Sequence, residues 1–175
     1  VRFSLEGEQR EQNDSLGSIF KNFIFAMIVI YTLLAIPFRS YSQPLIVMGA
    51  IPFGLTGAII GHIIMGQNLT VLSLIGIVAL AGVVVNDSLV LVDFINRYRQ
   101  DGHNVFNAVL EAGPRRFRPI LLTSLTTFFG LFPLLMEKSV QAQFLIPMAI
   151  SLAFGVLFAT LITLVIVPSA YLLLD

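Results

Sequence analysis

Residues 69–95 read LTVLSLIGIVALAGVVVNDSLVLVDFI, an apolar run that holds two carboxylates and no basic residue. A helix crossing the ~30 Å hydrocarbon layer of a bilayer needs about 20 mostly apolar residues, and this run supplies them without a break. It is continuous, not alternating in the ~10-residue pieces that mark a transmembrane β-barrel. Four further runs have the same character. They lie at about 19–38, closed by Pro37 and Arg39; at 44–65; at 119–136; and at 144–174, with Pro147 near the start and Pro168 near the end. The sequence therefore predicts an all-α, polytopic membrane bundle of five transmembrane helices.

Composition agrees. Of 175 residues, 57% are hydrophobic and 11% charged, with a mean hydropathy of +0.91. A soluble domain is about 45–50% apolar even with Gly counted, and about 25% charged. A soluble chain of this length could not hide so much apolar surface, and the same numbers exclude disorder. The absence of Cys excludes a disulfide scaffold. Ten basic and ten acidic residues cancel, so no net field invites nucleic acid, and the lipid bilayer is the expected surrounding. The chain starts at Val1 without Met or a cleavable signal pattern, and is expected to be a fragment or an excised half of something larger.

The links between runs set the topology. Arg39 to Gln43 and Gly66 to Asn68 are tight, which makes their neighbours antiparallel. The long loop is 96–118. Within it Val105, Phe106, Val109 and Leu110 share one helical face, while Asn104, Asn107 and Glu111 fall away from it. With Gly113-Pro114 expected to stop it, this reads as one short interfacial helix at about 104–112, or alternatively as a solvated loop helix. Residues Val1 to Leu5 alternate like the last strand of an extramembrane domain, and Glu6 to Ser18 reads as its polar linker. Residues 1–17 are thus expected to be a domain remnant and linker, and 18–175 the transmembrane domain. Six Arg residues (39, 97, 99, 115, 116 and 118) fall on one side of the membrane; Arg2, Arg10, Lys21 and Lys138 fall on the other. The positive-inside rule puts loop 96–118 and Asp175 in the cytoplasm and residues 1–17 outside.

The polar residues of the spans carry the functional reading. Asp87 lies some eight residues, roughly 12 Å of helix, from the end of the third span. A carboxylate in hydrocarbon costs at least ~2.5–3.5 kcal/mol, so Asp87 must face a bundle interior, a partner or a wet cavity. A carboxyl that changes charge inside a membrane is what a proton-driven machine needs; the alternative is a static, hydrogen-bonded, permanently neutral acid. Asp93, seven residues after Asn86 and on nearly the same face, is expected to cap a local network or meet interfacial water, with a proton role as the lesser reading. Asn86 can hydrogen-bond a neighbouring carboxyl but carries no charge; its other reading is a packing polar between two helices. On the fourth span Thr123 and Thr127 share a face with Ser124 and Thr126 nearby. These hydroxyls either bond back to their own helix or, for Thr123 and Thr127, reach the third span. Arg116 and Arg118 are topology anchors, with a counter-charge at a proton gate as a second role.

Other features are structural. Gly54, Gly57 and Gly61 allow close helix approach, Gly57/Gly61 as a G-x-x-x-G pair, and Pro52 is expected to kink the second span. His62 sits one turn from the outer end of that span. With one other His and no Cys, no metal site is expected. Nucleophile–base pairings, phosphate loops and dinucleotide fingerprints are missing from the sequence, so soluble enzyme chemistry is not indicated.

In order along the chain, Phe38-Arg39-Ser40-Tyr41 followed by Pro44, Ile51-Pro52-Phe53-Gly54, the run Gly82 to Phe94, and Arg116-Phe117-Arg118-Pro119-Ile120-Leu121-Leu122-Thr123-Ser124 resemble the carboxyl-terminal membrane half of resistance–nodulation–division (RND) transporters, in particular the hydrophobe/amphiphile multidrug efflux branch. Gly7-Glu8-Gln9 resembles the exit from that family's periplasmic domain. The resemblance implies a twelve-span pump of two parallel six-helix repeats in the bacterial inner membrane, of which these would be the last five spans. It implies substrate handling in periplasmic domains, a homotrimer with a periplasmic adaptor and an outer-membrane channel, and proton flow as the drive, with no cofactor. The chain would then be a proton antiporter component and not an enzyme. The family's essential acidic pair lies in the other half; the lysine that answers it in many members corresponds to Asn86, a departure. Thr123 and Arg116 match positions that similar pumps use in proton relay. The relay carried over is Asp87, Asn86, Thr123, Arg116 and Asp93. Val85-Asn86-Asp87-Ser88 also resembles the acidic motif of the other half, so the partner is expected to be the amino-terminal half or a second copy about a pseudo-two-fold axis. The competing reading is a non-transporting scaffold that only packs against a partner half.

Overall fold

A computed structural model describes the backbone of residues 3–174 and the side chains of residues 13–173. Among the described residues every regular element is a helix: α1 Phe3–Phe38, α2 Gln43–Met48, α3 Ile51–Met65, α4 Val71–Gln100, α5 Val105–Leu135, α6 Val140–Gln143 and α7 Ile146–Leu174. Five stretches are long and apolar enough to cross a membrane: Asn13–Phe38, Gln43–Met65, Val71–Gln100, Val105–Leu135 and Ile146–Leu173. The five-span bundle read from hydropathy is the fold.

Three local expectations change. The strand expected at 1–5 is helical from Phe3 onward, residues 1–2 lying outside the described residues. A strand needs a neighbour for its backbone ladder, whereas the stretch from Glu6 to Ser18 has no Pro and runs without interruption into the span, so the helix propagates backward through it. The second span is two helices, not one. Pro52 has no N–H for the carbonyl of Met48, and the chain breaks at Gly49-Ala50, where α2 ends and α3 begins. The surface helix expected at about 104–112 is helical from Val105 but is not a separate element: it runs through Gly113-Pro114 to Leu135. Ala108, Ala112, Ile120 and Ser124 are buried at a spacing of four or eight residues across Pro114, so one packed stripe keeps its phase through the proline and holds the helix together. A proline inside a helix costs ~3 kcal/mol, and here continuous packing offsets it.

Three turns use left-handed backbone, at Arg39, Gly66 and Gly102. Gly66 closes α3 at φ 64°, with the N–H of Gly66 and Gln67 donating to the carbonyls of Ile63 and His62. Arg39 closes α1 at φ 49°, a conformation usually left to Gly. Beyond α5, the backbone N–H groups of Ser139 and Lys138 both donate to Glu137 Oε1 at 3.0 Å and hold that exposed carboxyl below its ordinary pKa.

α7 is the centre, packed against α3, α4 and α5. Contact is close because glycines remove the side chain that would keep the helices apart. Gly57 and Gly61 of α3 sit against Phe158 and Phe154 of α7, Gly76 of α4 lies against the Met148 carbonyl, and Gly155 of α7 receives Leu80. Leu80, Val84, Leu91, Val92 and Ile95 of α4 form the core with Val156, Ala159 and Val167 of α7. α1 is peripheral. Leu34 is its one buried apolar side chain among the described residues, and Phe20, Phe25, Leu33 and Ile36 are all more than 60% exposed, as side chains are when their solvent is lipid.

A polar knot ties the Arg-rich end. Asn96 and Gln43 exchange side-chain amide bonds at 2.7 and 3.0 Å. Tyr171 is 2% exposed, and its hydroxyl donates to Asn96 Oδ1 at 2.6 Å and accepts from Arg99 at 3.0 Å. Tyr171→Phe leaves half-buried amide and guanidinium groups without this partner. It is expected to lower the unfolding free energy by about 1–3 kcal/mol, measured by denaturant titration in detergent micelles; an unmoved midpoint would show the knot to be ornamental.

Candidate functional site

α4 places the polar residues of the third span on two different sides. Leu80, Val84, Asp87 and Leu91 follow the helical repeat on the packed face, and Asp87 is 5% exposed. Ile75, Ala79, Gly82, Asn86 and Arg97 lie along an exposed stripe. Asn86 and Asp87 are adjacent in sequence and so point ~100° apart around the axis. That rotation buries one and exposes the other, and no hydrogen bond joins them. Among the described residues neither a hydrogen bond nor an ion pair reaches the Asp87 carboxyl.

The five residues read as a relay are thus dispersed. Asp93, on the Asn86 side, pairs with Arg97 at 2.9 Å, with its side chain 40% exposed. Both are solvated enough that this i,i+4 pair is worth a few tenths of a kcal/mol at most. Thr123 is exposed and donates to the Pro119 carbonyl at 2.9 Å. Thr126 and Thr127 also bond back to their own helix, so the reach of Thr123 or Thr127 to the third span is not realised. Backbone carbonyls one turn below are nearer than any neighbouring helix. Arg116 lies against Phe94, its guanidinium carbon 5.1 Å from the ring centroid, with a buried Nε that has no hydrogen-bond partner.

The structure gives Ser124 and His62 partners and adds groups the sequence did not single out, Thr160, Thr163, Ser151 and an aromatic series. Ser124 donates to the Ile120 carbonyl at 3.0 Å and also contacts the Thr160 hydroxyl. With the one Ser124 hydrogen so used, Thr160 is the donor in that pair. Thr163 and Ser151 of α7 are 1% and 0% exposed, and neither hydroxyl has a partner. Phe94, Tyr98 and His103 stack in series, with Arg115 over Tyr98 and paired to Glu111. At the opposite end His62 uses both ring nitrogens. Nδ1 faces the Ala58 carbonyl at 2.9 Å and must donate; Nε2 meets the Ser73 hydroxyl at 2.9 Å. Ser73 also forms a capping box with Thr70 at the start of α4. The i,i+4 spacing of Phe94 and Tyr98 was the available signal for the aromatic series. For Thr160 and Thr163, one hydroxyl in an apolar run is no signal without knowing which way it turns.

Two crystal forms of a heavy metal efflux pump have the same fold as this chain. They superpose with TM-scores of 0.84 and 0.81 at 25% and 28% sequence identity, covering 95% and 96% of this chain. The chain spans 17% and 16% of the pump's length in the two forms. The sequence resemblance points to the hydrophobe/amphiphile branch, whereas these solved relatives are a metal pump; identity at this level over a small part of a pump carries the fold and family, not the cargo. The AcrB/AcrD/AcrF family matches residues 1–175. The five-helix bundle, its glycine-packed α3–α7 and α4–α7 contacts and that full-length match together mean that the chain belongs to the AcrB/AcrD/AcrF family of RND efflux transporters, as part of their membrane domain.

Proposed function

We propose that this chain carries protons for an RND efflux pump of the bacterial inner membrane, with Asp87 as the group that is loaded and unloaded. The supporting observation is an aspartate, 5% exposed as a residue, in the middle of a membrane helix, its carboxyl with no hydrogen-bond or ion-pair partner among the described residues. A buried ionised carboxylate without a partner is expensive, and binding a proton removes the charge. Loading therefore changes the cost of the present packing against α5 and α7, which is how a local protonation biases a helix arrangement. Asn86, Thr123, Arg116 and Asp93 are the remaining relay candidates. Arg116 is placed to hold positive charge at the Arg-rich end, which the positive-inside rule assigns to the cytoplasm. Substrate handling, trimer formation and contacts with an adaptor and an outer-membrane channel belong to the rest of the pump.

The exported class follows the sequence resemblance: hydrophobic or amphiphilic compounds. Metal ions are the second reading, favoured by the TM-score of 0.84 with a heavy metal efflux pump. The test uses the complete transporter in vesicles. Efflux of a lipophilic dye that collapses when a protonophore dissipates the pH gradient supports the reading; dye efflux that survives the protonophore overturns the proton drive. Gradient-dependent movement of a metal ion without any dye transport replaces the first cargo by the second.

A further inference from the structure

Hydroxyls inside apolar helices satisfy themselves locally, and most in this chain do. Thr32, Thr56, Ser88, Thr123, Ser124 and Thr127 each donate to the carbonyl four residues back. Three hydroxyls of α7 depart from this habit. Thr160 turns to Ser124, and the fully buried Ser151 and Thr163 have no partner. Leaving a buried hydroxyl unmatched costs ~1–3 kcal/mol, and an ordinary rotation of the side chain would avoid that cost. A group that forgoes the local bond is turned toward something else.

Thr163 and Asp87 lie at one level of the α4–α7 seam. Leu80 meets Gly155, and Asn96 bonds Tyr171. Asp87 is seven residues from Leu80 and nine from Asn96; Thr163 is eight from Gly155 and eight from Tyr171. α5 reaches the same level. It runs antiparallel to α4, with Arg116 at Phe94, so eight residues further along α5 the Ser124–Thr160 pair stands opposite residue 86 or 87. The carboxyl of a buried residue and a buried hydroxyl, both unpartnered, thus lie at one level of the three helices with a hydroxyl pair. Buried polar groups in that condition are the sites at which proteins hold ordered water.

We propose that Asp87, Thr163 and the Ser124–Thr160 pair hold a bound water at the α4–α5–α7 junction, and that the Asp87 proton passes to and from that water on the α7 side of α4, away from the exposed stripe that carries Asn86. This rests on Asp87 being the proton-carrying group. In the step, the carboxyl O–H bond breaks, its electron pair stays on the carboxylate, and the proton joins the water oxygen; reloading is the reverse. Few other charges share the junction. α7 carries no Asp, Glu, Lys, Arg or His, and α2 carries none. On α3 the one titratable group is His62, bonded to Ser73, which is about 21 Å of helix from Asp87. On α5 the charges end at Arg118, and Arg116 sits against Phe94, about 10 Å along α4. On α1 the described charged groups are Asp14, Lys21 and none later before Pro37, and on α4 itself Asp93, Arg97 and Arg99 follow toward the Arg-rich end.

The test is pH-difference infrared spectroscopy of the full chain in lipid nanodiscs, with the Asp87 carboxyl stretch assigned by its loss in Asp87→Asn and bound water by its shift in heavy-oxygen water. Thr163→Val, nearly isosteric and without the hydroxyl, is expected to move the carboxyl band to higher frequency and to remove the water band. Thr163→Ser restores both, and Thr160→Val weakens the water band. Circular dichroism checks that the variants keep their helices, and Thr160→Val carries the test should Thr163→Val fail to fold. Unchanged carboxyl and water bands in Thr163→Val, or in Thr160→Val in that event, overturn the inference. A wild-type chain with no titrating carboxyl band overturns instead the proton reading of Asp87, and the water band still decides whether Thr163 holds a water.

Discussion

Asp87→Asn in the complete transporter is expected to take gradient-driven efflux to the background of vesicles without the protein. On the scale by which positioned proton-transfer groups act, that is a loss of at least about 100-fold. The expectation comes from chemistry with size held constant. Asn has the shape of a protonated Asp and makes no charge, so the buried position between α4, α5 and α7 keeps its packing and the bundle keeps or gains stability. What the amide cannot do is release a proton at any ordinary pH. Asp87→Glu keeps the acid but adds a methylene to a close-packed seam, and is expected to retain partial activity at a stability cost of about 1–3 kcal/mol. Asn86→Ala is the contrast: the same helix, the neighbouring residue, but a side chain on the exposed stripe with no bond to Asp87. A pump that works normally with Asp87→Asn would leave the chain as a packing scaffold.

The hydropathy of the chain made the five spans legible, because membrane crossing depends on run length and little else. Helix breaks were harder. Pro52 announces its own kink, yet the break falls at Gly49-Ala50, where the carbonyl that lacks a donor sits one turn earlier. Gly113-Pro114 looks like a stop and is not one, because the buried stripe from Ala108 through Ala112 and Ile120 to Ser124 continues across it. Local propensity lost to tertiary packing there. At the other end, alternation over five residues suggested a strand, but from Phe3 onward the chain is continuous helix into the first span.

The candidate site was legible in its central residue and not in its surroundings. Depth in an apolar run singles out Asp87, since no other carboxylate lies so far from both ends of a span. Its neighbours depend on the rotation of each helix and on where each side chain turns, and a sequence of apolar residues fixes neither. So Asn86 and Thr123, near in sequence or in expected level, are exposed. Thr160 and Thr163, on a helix that carries no charge, share Asp87's level of the bundle.

The seam that buries Asp87 depends on glycines, and Gly76 is where that dependence is greatest. A Cβ built there would lie 2.5 Å from the Met148 carbonyl oxygen and 2.9 Å from the Ser151 Cβ. The first is backbone of α7 and cannot rotate away, so any side chain at 76 must push the two helices apart. Gly76→Val is expected to destabilise the bundle by about 3 kcal/mol, the upper part of the overpacking range, after the ~1 kcal/mol or less that leaving Gly returns in helix propensity. Gly82 is the control on the same helix, with nothing within 4 Å of its Cβ position. Gly82→Ala is expected to be neutral or to stabilise the isolated chain by up to about 1 kcal/mol. Unfolding midpoints in mixed detergent micelles measure both. Separation of α4 from α7 would also admit solvent or lipid beside Ser151 and, about three turns further along α4, Asp87. Gly76→Val is therefore expected to impair proton coupling in the complete transporter without touching an ionisable group, and a variant with wild-type stability and coupling would mean that the close α4–α7 approach is not what shelters the carboxyl.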